Sequence, residues 1–292
     1  MRFTNPPSSS MHHRVYRCAW LAVLLACTRA PVSPPPDAVV PVAAPAAPGP
    51  VLSNMSAGTG PEVQVVDRIA PAPVTPDPRA GETRSVRPGI NAPYRAHDAA
   101  RAWSRRFERD GREVQDHQAQ IVGALRLRPG MAVADVGAGT GLFTLALAAA
   151  VGPGGTVYAV DLIPEFLAHI GLGLKQAGIT HVRLVQASER SAELPAASVD
   201  LVFMSDAYHH LEYPQHVLAG LRAALRPGGA LWVIDFQREA NTDAATRRHV
   251  RAGKATVLRE LAQAGFELVE ELPLLQENYV LHLRVGQVQG PS

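Results

Sequence analysis

The sequence predicts an α/β domain built on a mostly parallel sheet. A short apolar run, Met131–Val136, follows the turn "RPG" and has the length of a buried strand. Glycines come next at every second position, Gly137, Gly139 and Gly141, and an Ala/Leu-rich run typical of a helix follows them. Further apolar runs rich in β-branched residues alternate with helix-like runs towards the C-terminus.

The N-terminal third has a different composition. Positions 31 to about 95 are rich in Pro and Ala, as in "PVSPPPDAVVPVAAPAAPGP". Such a segment cannot bury enough apolar surface to offset the entropy of ordering it. The chain is therefore divided into a leader over residues 1–27, a disordered linker over 28–96 and a folded domain over 97–292.

The leader resembles a bacterial export signal. Arg14 and Arg17 precede a short apolar run, Cys18–Ala26, which is shorter than the roughly 20 residues that a membrane-spanning helix needs. The ending "LLAC" resembles a lipoprotein box and predicts a lipid anchor at Cys27, with the protein held at a membrane. A start at Met11 or an uncleaved leader is the alternative, and it leaves a cytoplasmic location open.

Charge and cysteine usage exclude several classes of site. The formal net charge is only +2, and the sequence has no long basic run, so no nucleic-acid partner is predicted. Both cysteines lie in the leader, which leaves the domain without a disulfide, a thiolate zinc site or a cysteine nucleophile. No metal site is predicted.

The glycine loop discriminates between two ligand classes. A dinucleotide loop requires G-x-G-x-x-G, but Leu142 stands where its third glycine is expected. Asp135, two residues before the first glycine, would repel a pyrophosphate and suits a ligand that carries an ammonium group. A dinucleotide-dependent oxidoreductase therefore remains a less favoured alternative.

The pattern D-x-G-x-G-x-G over Asp135–Gly141 resembles motif I of the class I S-adenosylmethionine-dependent methyltransferases. The resemblance extends over residues 97–292 and includes small bacterial members with Y-H-H after the fourth strand. It implies a Rossmann-like, doubly wound, seven-stranded sheet that is mostly parallel with an antiparallel last strand. It also implies S-adenosylmethionine as the cofactor.

Later motifs extend this resemblance. "TVYAVD" ends in Asp161, where the family has an acid that binds the ribose hydroxyls, and "HVRLVQ" leads into "ASERSAELP", which resembles the loop near the adenine. The resemblance implies the following cofactor-binding residues: Asp135, Gly137, Ala138, Gly139, Thr140, Gly141, Asp161, Leu162, Ser188, Glu189 and Asp206.

The candidate catalytic residues follow the fourth predicted strand, in "SDAYHHLEYP". In the family this loop faces the transferred methyl group, and a histidine has a suitable pKa to accept a proton from a hydroxyl or amine. His210 and His209 are the candidate bases, of which only one is expected to point into the pocket, and Tyr208 is a candidate to orient the substrate. The acceptor is predicted to be a small molecule with an O, N or C nucleophile. A structural role for both histidines, and a non-catalytic cofactor-binding protein, remain open.

The flanking segments supply further candidates. Tyr94, Trp103 and Phe107 are expected either to cover the cofactor or to pack in the core. The run 245–266 predicts one helix with Arg251 on an outer side. His249 and Arg251, with Asn278 and Tyr279 of the last strand, could reach over the pocket to the acceptor. Arg251 suits a substrate carboxylate or phosphate, and a surface salt bridge or a cap is the alternative.

Overall fold

The computed structural model describes residues 83–95, 103, 107, 112–239 and 242–286. The predicted leader with Cys27, and the linker up to residue 82, lie outside the described residues. The helices are α1 Glu113–Asp116, α2 Gln118–Ala124, α3 Leu142–Val151, α4 Pro164–Ala177, α5 Pro214–Ala224, α6 Ala244–His249 and α7 Lys254–Gln263, with 3-10 helices at Ala92–Arg95 and Tyr208–His210. The strands are β1 Ala132–Val136, β2 Thr156–Asp161, β3 Val182–Gln186, β4 Val199–Ser205, β5 Leu225–Phe236, β6 Phe266–Leu272 and β7 Asn278–Val285.

The strands form one seven-stranded sheet in the order β3-β2-β1-β4-β5-β7-β6. The pairs from β3 through β5 are parallel, and β7 runs antiparallel to both β5 and β6. This arrangement confirms the predicted doubly wound sheet with an antiparallel last strand. The chain order reverses beside β1, so the carboxyl ends of β1 and β4 flank the crevice in which such sheets bind ligands.

Helices cover both faces of the sheet. On one face α5 and α7 bury Leu218, Leu221 and Leu261 against the strands. On the other face α2 and α3 bury Ile121 and Leu147. Strand β1 is buried along its whole length, so the residues that follow it are held at a fixed place above a packed core.

The predicted late helix is two helices. Helix α6 ends at His249, and α7 begins at Lys254. Between them Val250 and Ala252 are buried in the core, and the side chain of Arg251 turns inward. Burying these consecutive residues is incompatible with one continuous amphipathic helix, which would keep Arg251 on the outside.

Residues 83–95, which the sequence assigns to the linker, pack on the domain. Glu212 holds them, because its carboxylate accepts from Ser85 Oγ at 2.7 Å and from the amide of Gly89 at 3.0 Å. Ile90 and Tyr94 are buried. The packed part of the chain therefore includes residues well before the predicted boundary at 97.

Among the helices that the structure describes, none combines the length and the apolar character needed to cross a bilayer.

Candidate active site

A cavity of about 710 Å³ opens at the carboxyl ends of the central strands. Its volume lies in the range of about 300–1,000 Å³ that is usual for small-molecule sites. Twelve of the predicted site residues line it: Asp135, Gly137, Ala138, Gly139, Thr140, Asp161, Leu162, Ser188, Glu189, Asp206, His209 and His210. The other two, Gly141 and Tyr208, are not part of its wall.

The three glycines of the loop are needed for different reasons. A Cβ on Gly137 would lie 2.4 Å from the Cβ of Ala207, and a Cβ on Gly141 would lie 2.9 Å from a side-chain carbon of Ile170. At Gly139 the nearest atoms belong to the ring of Phe107, at 3.7 Å. The first and third glycines therefore permit packing inside the protein, and only the middle one leaves open space on the cavity side.

The amides of the loop are already engaged. Those of Gly137 and Ala138 donate to the carbonyl oxygen of Val160, at 2.9 and 3.0 Å. The amide of Gly139 donates to Asp161 Oδ2 at 2.8 Å. A dinucleotide loop instead offers such amides to a pyrophosphate. This geometry therefore argues against the oxidoreductase alternative.

Asp135 is a buried carboxyl group at the end of β1. It is 3% exposed and accepts a hydrogen bond of 2.6 Å from Thr144 Oγ1. Burial raises the pKa of Asp135 to about 7, against the opposing effect of the Thr144 hydrogen bond. A cation bound beside this group would restore its charged form, so the site favours a ligand with an ammonium group.

Asp161 ends β2 and holds the loop from the neighbouring strand. Its Oδ1 accepts from the amide of Ile163 at 2.8 Å, and its Oδ2 accepts from Gly139. Burial raises the pKa of Asp161 to about 6. A carboxylate has about four acceptor positions, so Asp161 retains capacity for a pair of ribose hydroxyls. That fits the ribose of either cofactor class, so Asp161 does not discriminate between them.

Glu189 holds the covering segment in place. Its Oε2 accepts from Asn91 Nδ2 at 3.2 Å, and its Oε1 forms an ion pair with Arg95. The exposed Ser188 donates from its Oγ to Glu193 at 3.3 Å. Both predicted adenine residues therefore line the cavity, while their side chains contact other protein groups.

An aromatic cluster, Tyr94, Trp103 and Phe107, covers the cavity. The ring centroids of Tyr94 and Trp103 are 4.5 Å apart, and those of Trp103 and Phe107 are 5.3 Å apart. All three rings also line the cavity, and the centroid of the Phe166 ring lies 6.5 Å from that of Tyr94 and 6.1 Å from that of Phe107. The same rings pack with Ile163 and Phe166 in an apolar cluster, so the two expectations from sequence are both met.

Asp206 is held by two residues that the sequence did not identify as its partners. Arg112 Nη2 donates to Asp206 Oδ2 at 2.7 Å, and Asn278 Nδ2 donates to Oδ1 at 2.6 Å. Burial raises the pKa of Asp206 even beside the Arg112 guanidinium. Asp206 also has a left-handed backbone, with φ 50°. These contacts shape the turn between β4 and the histidines.

His209 is the most firmly positioned group at the acceptor side. Its Nδ1 lies 2.7 Å from Asp235 Oδ1, and its backbone amide donates to Asp235 Oδ2 at 2.8 Å. Asp235 was not predicted, although it lies near the carboxyl end of β5, where an acid carries the same signal as Asp161. Among the residues described, none hydrogen-bonds to the buried Nε2 of His209.

His210 and His249 adjoin that ring. The centroid of His210 is 4.2 Å from His209 and 5.0 Å from Tyr94. His249, at the end of α6, is 4.9 Å from His209 and 5.0 Å from His210. Burial, His209 and His249 hold the pKa of His210 well below its usual value. Both adjacent histidines line the cavity, whereas only one was expected to.

Tyr208 and Arg251 belong to a separate buried cluster. The Tyr208 hydroxyl donates to Glu260 Oε2 at 2.9 Å, and Arg251 contacts both oxygens of the same carboxylate at 2.9 and 2.8 Å. Burial raises the pKa of Tyr208 well above its usual value. Neither residue lines the cavity. Arg251 therefore forms a salt bridge, but the pair is buried and not at the surface as the alternative expected.

Two further polar groups fit a polar ligand in the cavity. Thr140 Oγ1 and Ser205 Oγ are buried in its wall, and no hydrogen-bond partner for either occurs in the described part of the chain. Buried hydroxyls are rarely left without a partner, so a ligand that supplies one fits both positions.

The sequence is similar to known methyltransferases. Residues 134–233 match a family described as methyltransferase domain. A ubiquinone/menaquinone biosynthesis C-methyltransferase of Bordetella avium is 30% identical over 42% of this chain and 48% of its own length. A provisionally named O-methyltransferase of Mycobacterium ulcerans is 36% identical over 49% of this chain and 65% of its own length. The chain thus spans about half to two thirds of these relatives.

A solved structure shows the same architecture. The crystal structure of a methyltransferase from Aquifex aeolicus, described as dependent on S-adenosylmethionine, aligns with a TM-score of 0.54 and 25% identity. The alignment covers 57% of this chain and 88% of that one. Together, the fold and these similarities show that the domain resembles class I methyltransferases, and they imply S-adenosylmethionine as the cofactor.

Proposed function

We propose that the domain transfers a methyl group from S-adenosylmethionine to a small-molecule acceptor whose nucleophile lies beside His209 and His210. One observation carries the proposal. A single cavity is lined at the ends of β1 and β2 by Asp135 and Asp161 and, after β4, by the histidines. The residues suited to hold a cationic nucleoside and those suited to accept a proton therefore share one cavity.

The cofactor end binds through carboxylates and hydroxyls. Asp161 accepts from the ribose hydroxyls, and Asp135 attracts the ammonium group of the amino-acid portion. Thr140 and Ser205 supply hydroxyls that otherwise have no partner among the described residues. The cofactor's sulfonium already makes its methyl group electrophilic, so the protein must mainly position the acceptor and exclude water. The aromatic cluster over the cavity serves the second requirement.

At the acceptor end, His209 is the residue that we assign as the base. A carboxylate only accepts hydrogen bonds, so Asp235 selects the tautomer of His209 with the proton on Nδ1. The Nε2 lone pair is then available to take a proton from a hydroxyl or amine of the acceptor. His210, neutral because its pKa is lowered, orients the acceptor. Tyr208 has no role at the cavity in this proposal.

The relatives support two kinds of acceptor atom, since one is named a C-methyltransferase and the other an O-methyltransferase. Both reactions are aided by removal of a proton, either from the attacking oxygen or from a hydroxyl that activates a neighbouring carbon. The proposal therefore extends to an O, N or C nucleophile with an acidic proton in reach of His209.

For the N-terminal segment we propose the membrane anchor at Cys27 that "LLAC" indicates, with residues 28–82 as its tether. Labelling cells with a fatty-acid analogue tests it, with Cys27→Ser as the control. Equal labelling of both proteins would refute the anchor.

The cofactor assignment is tested by calorimetry on the full chain. We expect saturable binding of S-adenosylmethionine and S-adenosylhomocysteine and none of NAD. Transfer of labelled methyl groups to a metabolite extract is expected to be lost in His209→Ala and retained in His169→Ala, which removes an exposed histidine of α4. Binding of NAD alone would overturn the assignment. Transfer that is indifferent to His209 would refute its role as the base.

Affinity for S-adenosylmethionine is expected to fall as the solution becomes acidic. The pKa values of Asp135 and Asp161, about 7 and about 6, mean that both carboxylates gain protons over this range and lose their attraction for the ammonium group and the ribose hydroxyls. Between about pH 7.5 and about pH 6 we expect the Kd to rise roughly tenfold. Calorimetry at several pH values measures this.

The matched control is Asp135→Asn. It is expected to bind more weakly at about pH 7.5 and to show a shallower pH dependence, because only Asp161 still titrates. A wild-type affinity that does not change over the range would contradict the role of both carboxylates.

A further inference from the structure

We propose that His209, His210 and His249 form a binding site for a divalent transition-metal ion at the acceptor end of the cavity. These three side chains are called the histidine cluster below. Each offers one ring nitrogen, and the three nitrogens lie within 4.8 Å of one another. The cluster combines two adjacent residues of a 3-10 helix with a third from the end of α6.

His209 has the arrangement that metal-binding histidines show. Such a histidine usually donates its second ring N–H to a carboxylate, which fixes the ring and makes the ligating nitrogen more basic. Here Nδ1 of His209 pairs with Asp235 at 2.7 Å, which leaves Nε2 as the nitrogen available to an ion. Asp235 also accepts from the amide of His209, so the ring and its backbone are held by one carboxylate.

His210 offers a second nitrogen. Its Nδ1 is buried and, within the residues that the structure describes, forms no hydrogen bond. Its Nε2 lies 3.5 Å from the hydroxyl of Tyr94, which can accept the ring proton. Two buried ring nitrogens without partners, side by side, would each lose the free energy of a hydrogen bond with water. A shared cation would satisfy both.

The three ring nitrogens are farther apart than they would be around a bound ion. On a tetrahedral zinc ion with Zn–N distances of about 2.0–2.1 Å, ligand nitrogens are about 3.4 Å apart. The nitrogens must therefore approach one another by up to about 1.4 Å. Rotation of the His249 side chain, at the end of a short helix, would supply this movement. The negative charge of Asp235 offsets part of the charge that the ion brings.

The ligand set indicates which ions fit. Three imidazoles suit zinc, iron, copper or nickel, whereas magnesium and calcium require oxygen ligands. Three protein ligands also leave one coordination position open, as catalytic zinc sites do. In this protein that position would face the cavity. On the proposed function, an acceptor oxygen beside the transferred methyl group would bind there and release its proton to solvent more easily. With the ion bound, His209 Nε2 is a ligand, so the ion would activate the acceptor in place of His209 acting as a base.

The proposal is tested by titrating the full chain with Co²⁺ after treatment with a chelator. We expect one ion per chain, with the visible absorption of a nitrogen-ligated site, displaced by Zn²⁺. His249→Ala is expected to weaken binding at least tenfold, and Asp235→Asn by 10–100-fold, the usual effect of removing a carboxylate behind a ligand. His169→Ala, on the exposed face of α4, should bind as the wild type does.

Calorimetry with S-adenosylmethionine on the same samples separates the two proposals. His249→Ala that loses Co²⁺ but keeps the cofactor supports a metal site and shows that the variant is folded. If the protein binds Co²⁺ but not the cofactor, the metal site is supported and the proposed function is refuted. Wild-type protein that binds the cofactor but no Co²⁺, or Co²⁺ equally well with and without His249, overturns the metal site.

Discussion

Replacing Asp161 with alanine is expected to weaken binding of S-adenosylmethionine by about 100-fold. The carboxylate is the acceptor for the ribose hydroxyls in the proposed complex, and a hydrogen bond to a charged group contributes about 1.5–3 kcal/mol. Two such bonds together contribute about 3 kcal/mol, and each 1.4 kcal/mol is a factor of ten in Kd. The same carboxylate holds the amides of Gly139 and Ile163, so the glycine loop also loses its anchor. Calorimetry near pH 7.5 measures the effect.

The control for Asp161→Ala is Glu267→Ala. Glu267 is a partly exposed carboxylate on the edge strand β6, where it pairs with Arg284. It is expected to leave the affinity unchanged. Thermal unfolding of both variants shows whether the binding measurement is made on folded protein. An Asp161→Ala protein that is folded and binds the cofactor as tightly as the wild type would contradict the assignment of the site.

Replacing Gly137 with alanine is expected to destabilise the domain by about 2–5 kcal/mol. Gly137 has a φ of 76°, and its added Cβ would meet the Cβ of Ala207 at 2.4 Å. The left-handed backbone costs about 1–2 kcal/mol for a residue with a Cβ, and overpacking costs about 1–3 kcal/mol. Because domains of this kind are stable by only about 5–15 kcal/mol, the variant loses a large part of its stability. Urea unfolding followed by circular dichroism gives the difference.

Two further variants separate the effect of backbone strain from that of overpacking against Ala207. Gly139→Ala has a similar φ of 55°, but its Cβ would lie 3.7 Å from the ring of Phe107, an ordinary contact. It should lose only about 1–2 kcal/mol. Adding Ala207→Gly to Gly137→Ala should recover the steric part of the loss. If Gly137→Ala and Gly139→Ala are equally stable, the close approach of Ala207 is not what requires glycine at position 137.

Local patterns predicted most of the secondary structure. Strand β2 has the predicted bounds, Thr156–Asp161, because its apolar run is closed by a glycine turn before it and by an acid at its end. The break between α6 and α7 was not predicted. It depends on the burial of Val250 and on the pairing of Arg251 with Glu260, neither of which helical periodicity reveals.

At the cavity too, features with a local signal were predicted, and contacts between distant segments were not. Asp135 and Asp161 were identified because each ends an apolar run, a local signal; Asp135 also precedes the glycine loop, and the role of Asp161 came from the resemblance to the family. The partners of the other groups come from distant segments. Arg112 reaches Asp206 from 94 residues earlier, and Asp235 orients His209 from 26 residues later. No spacing in the chain encodes these contacts.

The amino-acid order alone was sufficient for the α/β class, because that class depends on strand length, apolar runs and glycine turns. The sheet with its reversed last strand and the cofactor class came from the resemblance to class I methyltransferases that the glycine and acid motifs carry. Which groups face the cavity was decided only by folding. Tyr208 turned to Glu260, and His249 came to lie beside His209 and His210. The physical reason is that side-chain orientation depends on how helices from distant parts of the chain pack over the sheet, and that packing is set by the whole core.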